Sequence, residues 1–422
     1  MKFTKHTLPN GLRVILVPEP QSLAATVLVL VEAGSNYETK QNNGISHFLE
    51  HMCFKGTEKR PRAIDISSEL DAMGAHYNAF TSNEYTGYYA KVQPKYFDRA
   101  LDIVADIYLN PRFEPAEIEK EKGVIVEEIN MYEDLPQQKV QEMILEALYG
   151  DQPAGWPVAG RKEIVRAVTR EDFLAYRTKQ YSAPSTIVVC AGNFDEARAL
   201  EGVKQQFAGI HDGTRVVRRD VTEKQTAPKL LVKEKKSDQT HLVIAFRGVD
   251  ASHADRFAYG VLGAILGGGM SSRLFQKVRE EMGAAYYVGA SHDSNSNYGY
   301  MSASAGADTA RAEDVITAIL GECKKLKAET VGEKELTMVK DMMVGNFFLS
   351  LETSNQHANY LGGQEVVRGE IVQPEEIAEK IQAVTADDVQ RVARECFVPE
   401  KLNFALIGPS VDEKRFAALL TL

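Results

Sequence analysis

Cysteine is scarce in this chain: Cys53, Cys190, Cys323 and Cys396 are the only four in 422 residues, and no two form a CxxC pair. That excludes a disulfide framework and predicts buried thiols in a reducing compartment. Long apolar runs are missing too, and no stretch is long enough to span a bilayer. The N-terminal segment Met1–Gly11 carries basic residues but no apolar core of signal-peptide length. The default location is the cytoplasm, with no membrane partner. Nor is there an excess of basic charge, since 49 Lys and Arg face 59 Asp and Glu for a formal net charge of −10. Nucleic acid is therefore not the expected partner. The run Gly267-Gly268-Gly269 lacks the Gly-Lys-Ser/Thr ending of a phosphate-cradling loop, which argues against a phosphate site.

What is present is concentrated in His47-Phe48-Leu49-Glu50-His51. Residues four apart share one face of a helix, so the two imidazoles can grip one metal ion. Glu50 lies between them, within reach of a proton on a water that the metal activates. Gly44, Ile45 and Ser46 read as a helix entry, and Ile45, Phe48, Leu49 and Met52 as a packed stripe. Lys55-Gly56 supplies a cation and a stop at the far end. A buried helix bearing two His and a Glu needs a reason, because unpaired buried polar groups are costly. A catalytic metal with a position left for water supplies one. Cys53 falls about 200° around the helix from His51 and is not counted as a ligand.

Two histidines need at least one further protein ligand. The segment from Glu117 to Ile129 reads as a helix, with Pro115 near its start and Ile118, Val124, Ile125 and Ile129 as its apolar face. Glu121 and Glu128 are two helical turns apart and project from one stripe, whereas Glu127 points about 100° away, toward solvent. In isolation each carboxylate reads as an ordinary solvated helix face.

The HxxEH order, with 76 residues between His51 and Glu128 and a second Glu seven before it, resembles the inverted-motif zinc peptidases. These include pitrilysin, insulin-degrading enzyme and the mitochondrial processing peptidase, and the resemblance covers nearly the whole chain. It implies one zinc per chain held by His47, His51 and Glu128, with Glu50 as general base and Glu121 as the carboxylate that orients a ligand histidine. By the same resemblance Asn78, Ala79, Phe80 and Thr81 form the edge strand whose backbone pairs with substrate, and Gly267–Phe275 opens the second domain's contribution. Arg279 and Tyr286 match the substrate-orienting Arg/Tyr pair. The resemblance further implies a metalloendopeptidase acting on unfolded or flexible peptides, as one of the half-length members whose chains pair. A homodimer is expected and a hetero-partner is possible. The alternative is a non-catalytic structural or assembly subunit of the same fold, although such chains typically lack the ligands or the base.

The chain also repeats itself. Val168-Thr169-Arg170-Glu171-Asp172 recurs as Val384-Thr385-Ala386-Asp387-Asp388, an offset of 216 residues (384 − 168). Met73-Gly74-Ala75-His76-Tyr77 answers to Met282-Gly283-Ala284-Ala285-Tyr286 at 209 (282 − 73). Ordered matches with drifting offsets argue for duplicated domains. In the second copy His47, Glu50 and His51 correspond to Gly260, Gly263 and Ala264, so only one half holds the metal. The expected division is a zinc-binding catalytic domain over 1–212, a charged linker over 213–228, and a degenerate repeat over 229–422. The expected fold class is α+β, each domain a mostly antiparallel sheet with helices packed on one side.

Overall fold

The computed structural model describes residues 1–422. Its helices and strands sort into two compact units. The first unit holds a six-stranded sheet of β1 (Thr4–Thr7), β2 (Arg13–Pro18), β3 (Ala25–Val31), β4 (His76–Thr81), β5 (Thr86–Val92) and β6 (Thr186–Gly192), in the order β1-β2-β6-β3-β5-β4. The second holds β7 (Lys229–Glu234), β8 (Thr240–Arg247), β9 (Ala285–Ser294), β10 (Gly299–Ala307) and β11 (Leu402–Gly408), in the order β7-β11-β8-β10-β9.

Removing β1 leaves two identical patterns. β2 and β6 pair in parallel, as do β7 and β11, and every other neighbour is antiparallel. The duplication read from the sequence is therefore a duplication of topology, and the class is a mixed helix-and-sheet fold with two similar domains.

The central strands are apolar at nearly every position because both faces are covered. In the first unit Val14, Val27, Val29 and Val188 pack under the helices Ile45–Cys53 and Phe97–Leu109. The alternate residues Ile15, Leu28, Leu30 and Val189 pack against Ala358, Leu361 and Val366 of the helix Ser354–Arg368. In the second unit Val243, Ala245, Ala405 and Ile407 meet Val140, Ile144 and Leu148 of the helix Pro136–Tyr149. Helices thus lie on both sides of each sheet, and the one-sided packing expected from the sequence is corrected.

The coverage is reciprocal. The helix 136–149 lies within the first repeat in sequence yet belongs to the second unit, and the helix 354–368 does the reverse. The units therefore comprise residues 1–129, 157–219 and 349–372, and residues 130–156, 220–348 and 373–422. They are interleaved rather than the contiguous stretches 1–212 and 229–422, because each sheet's second face is closed by a helix from the other repeat. Residues 210–226 form no helix or strand, and the chain passes between units at Arg219 and Asp220.

Candidate metal centre

The helix Ile45–Cys53 is anchored by Ile45, Phe48, Leu49 and Met52, which recur at helical spacing and are all buried. The Phe173 ring meets that of Phe48 edge-on at 4.8 Å. This packing leaves His47, Glu50 and His51 on an adjacent, partly open stripe. The helix Pro115–Asp134 begins on a proline, which costs no hydrogen bond there, and buries Ile118, Glu121, Ile125 and Ile129. Val124 is 50% exposed and leaves the apolar face assigned to it from the sequence. Glu127 is exposed, as expected.

These two helices bring His47, His51 and Glu128 together, with one ligand atom of each within 4.8 Å of the others. His47 Nε2 lies 3.7 Å, and His51 Nε2 3.6 Å, from Glu128 Oε2. The far side of the His51 ring faces Glu121, with Nδ1 2.9 Å from Oε1, and Lys55 Nζ donates to the other Glu121 oxygen at 2.6 Å. Glu50 accepts a 2.6 Å hydrogen bond from Thr81 Oγ1 of β4.

The electrostatics separate the roles. Burial, reinforced by the neighbouring His51, pulls the His47 imidazole down to about 3, so it is neutral with a lone pair to give. Burial also pulls His51 down, but the Glu121 hydrogen bond and the surrounding carboxylates outweigh it and leave the ring above its ordinary value. Burial pushes Glu121 up, and the His51 and Lys55 contacts more than reverse this, keeping it a carboxylate. Glu50 goes the other way, its burial exceeding the Thr81 bond, so its carboxyl group sits above the usual range. Glu50 therefore holds a proton more readily than a free carboxyl does. Two imidazoles and a carboxylate converging from one side fit zinc with a position left over.

Thr81, Phe80, Ala79 and Asn78 lie on β4, which pairs only with β5 and ends the sheet with a free edge. Arg279 and Tyr286 belong to the second unit. The Arg279 guanidinium stands 5.7 Å from the centre of the Tyr286 ring, and Tyr286 is 73% exposed. Arg279 sits in a π-helical stretch, Phe275–Glu281. Cys53 is buried against Tyr88, its thiol pushed up to about 12 by burial, and takes no part.

In the second unit the helix Arg256–Gly267 occupies the place of the histidine-bearing one. Gly263 stands where Glu50 would, and a Cβ there would come 3.1 Å from the His292 backbone nitrogen of β9. The helix lies directly on the strand in this unit.

A model described as insulinase, peptidase family M16, matches residues 13–162, and a peptidase M16 inactive-domain model matches residues 167–343. "Uncharacterized zinc protease YmxG" of Bacillus subtilis is 34% identical over 96% of this chain and 98% of its own. This chain belongs to peptidase family M16. A Mycobacterium leprae relative, "Uncharacterized zinc protease ML0855", is likewise 34% identical, over 97% of this chain and 92% of its own. Among solved structures, a protease from Helicobacter pylori superposes with a TM-score of 0.89 at 22% identity, over 97% of this chain and 99% of that one. Complex III2 from Candida albicans contains a chain with a TM-score of 0.85 at 18% identity, covering 99% of this chain and 100% of its own. These two likenesses are of fold. The family membership agrees with the inverted-motif resemblance.

Sequence spacing missed one buried residue that touches this helix. Glu38 accepts hydrogen bonds from the Gly44 and Ser46 amides at 2.7 and 2.9 Å. It lies in a polar loop with no periodicity, so nothing in the pattern singled it out.

Proposed function

We propose that the protein is a zinc endopeptidase, and that His47, His51 and Glu128 are its metal ligands. The observation that carries the reading is the convergence of those three ligand atoms within 4.8 Å, with the raised carboxyl of Glu50 on the same short helix. Bound zinc would supply a Lewis acid that polarises a scissile carbonyl and makes water acidic at neutral pH. Glu50 takes the proton from the attacking water and delivers it to the leaving amine. Glu121 holds His51 so that the proton stays on Nδ1 and Nε2 faces inward. Thr81 orients Glu50 through its hydroxyl.

The free edge of β4 suits an extended peptide that adds a strand by backbone hydrogen bonds. An unfolded or flexible segment meets that demand and a folded protein does not. Arg279 and Tyr286 are proposed to hold and polarise the peptide carbonyls. A homodimer is the proposed assembly, and the cytoplasm the proposed compartment, where four free, buried thiols are at home. Sedimentation of the zinc-loaded protein alongside peptide cleavage tests both parts. A chelator-sensitive dimer fits, and a fully active monomer removes the dimer.

A further inference from the structure

The histidine-bearing helix is only nine residues long, so the direction of its side chains depends on how its first turn is held. The first amides of a helix have no partner within it and are usually capped by a Ser, Thr, Asp or Asn at the N-cap. Here the N-cap is Gly44 at φ +98, a conformation that L side chains rarely adopt, and a Cβ would meet the Ala159 carbonyl oxygen at 2.8 Å. The position has to be glycine, and glycine has no side chain with which to cap.

Glu38 supplies the missing cap from six residues upstream. Its Oε1 accepts from the Ser46 amide at 2.9 Å, and its Oε2 accepts from the Gly44 amide at 2.7 Å and from Asn43 Nδ2 at 2.9 Å. The residue is fully buried. Burying a carboxylate is expensive; three N–H groups and the positive end of the helix offset part of that cost, and burial still holds the Glu38 carboxyl above its ordinary range. Ser46 is held from its other end as well, its hydroxyl 2.7 Å from that of Tyr176.

The second repeat is an internal control. The offset of 213 residues that sets Gly260 opposite His47 (260 − 47) puts Ala251 opposite Glu38, and the three residues after it, Ser252, His253 and Ala254, include no carboxylate. The corresponding helix starts at Asp255, which makes no side-chain cap bond and pairs with Arg391 instead. A buried carboxylate cap occurs only in the repeat that carries the two histidines.

We propose that Glu38 is a positioning residue for the metal centre, fixing the rotation of the helix Ile45–Cys53 so that His47 and His51 converge with Glu128. The proposal rests on the zinc-peptidase reading of the site. Ser46 immediately precedes His47, so clamping its amide sets the direction in which the ligand leaves the helix. At a side-chain radius of about 5 Å, a 10° rotation moves a ligand atom by about 1 Å. Metal sites tolerate about 0.2 Å in their distances. Glu38 touches neither metal nor substrate, and its effect passes entirely through the helix.

The test is Glu38→Gln, which keeps the shape but turns an NH2 group toward the amides it should accept from. Zinc affinity is measured by chelator competition, and amide exchange at Ser46, His47 and Phe48 is measured in the metal-free protein. The expected result is zinc binding weakened about 10-fold or more, the range for groups that orient ligands. Exchange at those three amides should accelerate, while that of β3 and β6 is unchanged and kcat falls with KM held within twofold. A folded variant with both zinc affinity and local exchange as in wild type overturns the proposal. Should Glu38→Gln not fold, Glu38→Asp replaces it, and wild-type values there overturn the proposal equally. If wild type itself binds no zinc, the site reading fails separately, and the metal-free exchange comparison still decides whether Glu38 holds the helix.

Discussion

His51 Nδ1 lies 2.9 Å from Glu121 Oε1, while the opposite ring nitrogen lies 3.6 Å from Glu128 Oε2. A carboxylate can only accept, so Nδ1 carries the proton and Nε2 is left with its lone pair toward Glu128 and His47. Glu121→Gln should therefore weaken zinc about 10- to 100-fold without abolishing it, whereas His51→Ala should abolish it. Competition against a graded set of chelators reads both. Wild-type affinity in Glu121→Gln would show that the orienting contact is unimportant.

The helix Ser354–Arg368 is tied to the first unit's sheet by charge as well as by packing. Glu365, whose side chain is 2% exposed, receives Lys5 Nζ at 2.7 Å and Arg13 Nη1 at 3.3 Å. Arg13 also pairs with Glu32 at 2.6 Å. Removing one member of a buried charge network leaves the others uncompensated, at a cost of about 3 kcal/mol or more. Glu365→Ala should lower unfolding stability by that amount, read by denaturant titration. A loss below about 0.5 kcal/mol, typical of a surface change, would mean that the helix is held by its apolar face alone.

Acid should destabilise the fold through His292. Burial, against a smaller opposing hydrogen bond to the Val249 carbonyl, pulls its imidazole down to about 4. The unfolded chain takes up this proton near the ordinary value of about 6.5. Between those two values the unfolded state binds more protons, so stability is complete above about 6.5 and falls as pH drops toward about 4. The contribution reaches about 3 kcal/mol, and His292→Gln should flatten the stability profile by about 1 kcal/mol per pH unit in that window. An unchanged slope would show that the ring is hydrated in solution.

Much of this was legible because the strongest signals are local. His47 and His51 needed only the four-residue spacing of a helix. The repeat emerged from ordered matches at nearly constant offset. The helix exchange did not, because the apolar stripe of 136–149 records that one face is buried and not which sheet buries it. Val124 was misjudged for a related reason: it sits one position from Ile125 on a helix whose buried stripe is filled partly by Glu121, a carboxylate. Glu38 was invisible because its partners are backbone amides, which leave no mark on sequence pattern. The π-helical turn around Arg279 likewise has no signature in residue type.

The central claim is that Glu50 works as a proton carrier at a zinc centre built by its neighbours. Its most direct test is cleavage of an unstructured, basic fluorogenic peptide by zinc-loaded wild type and Glu50→Gln, with bound zinc quantified in both. The account predicts chelator-sensitive turnover by wild type, zinc retained in Glu50→Gln, and turnover there reduced by about 10²-fold or more. Equal turnover by the two proteins, or loss of zinc from a folded Glu50→Gln, would contradict it.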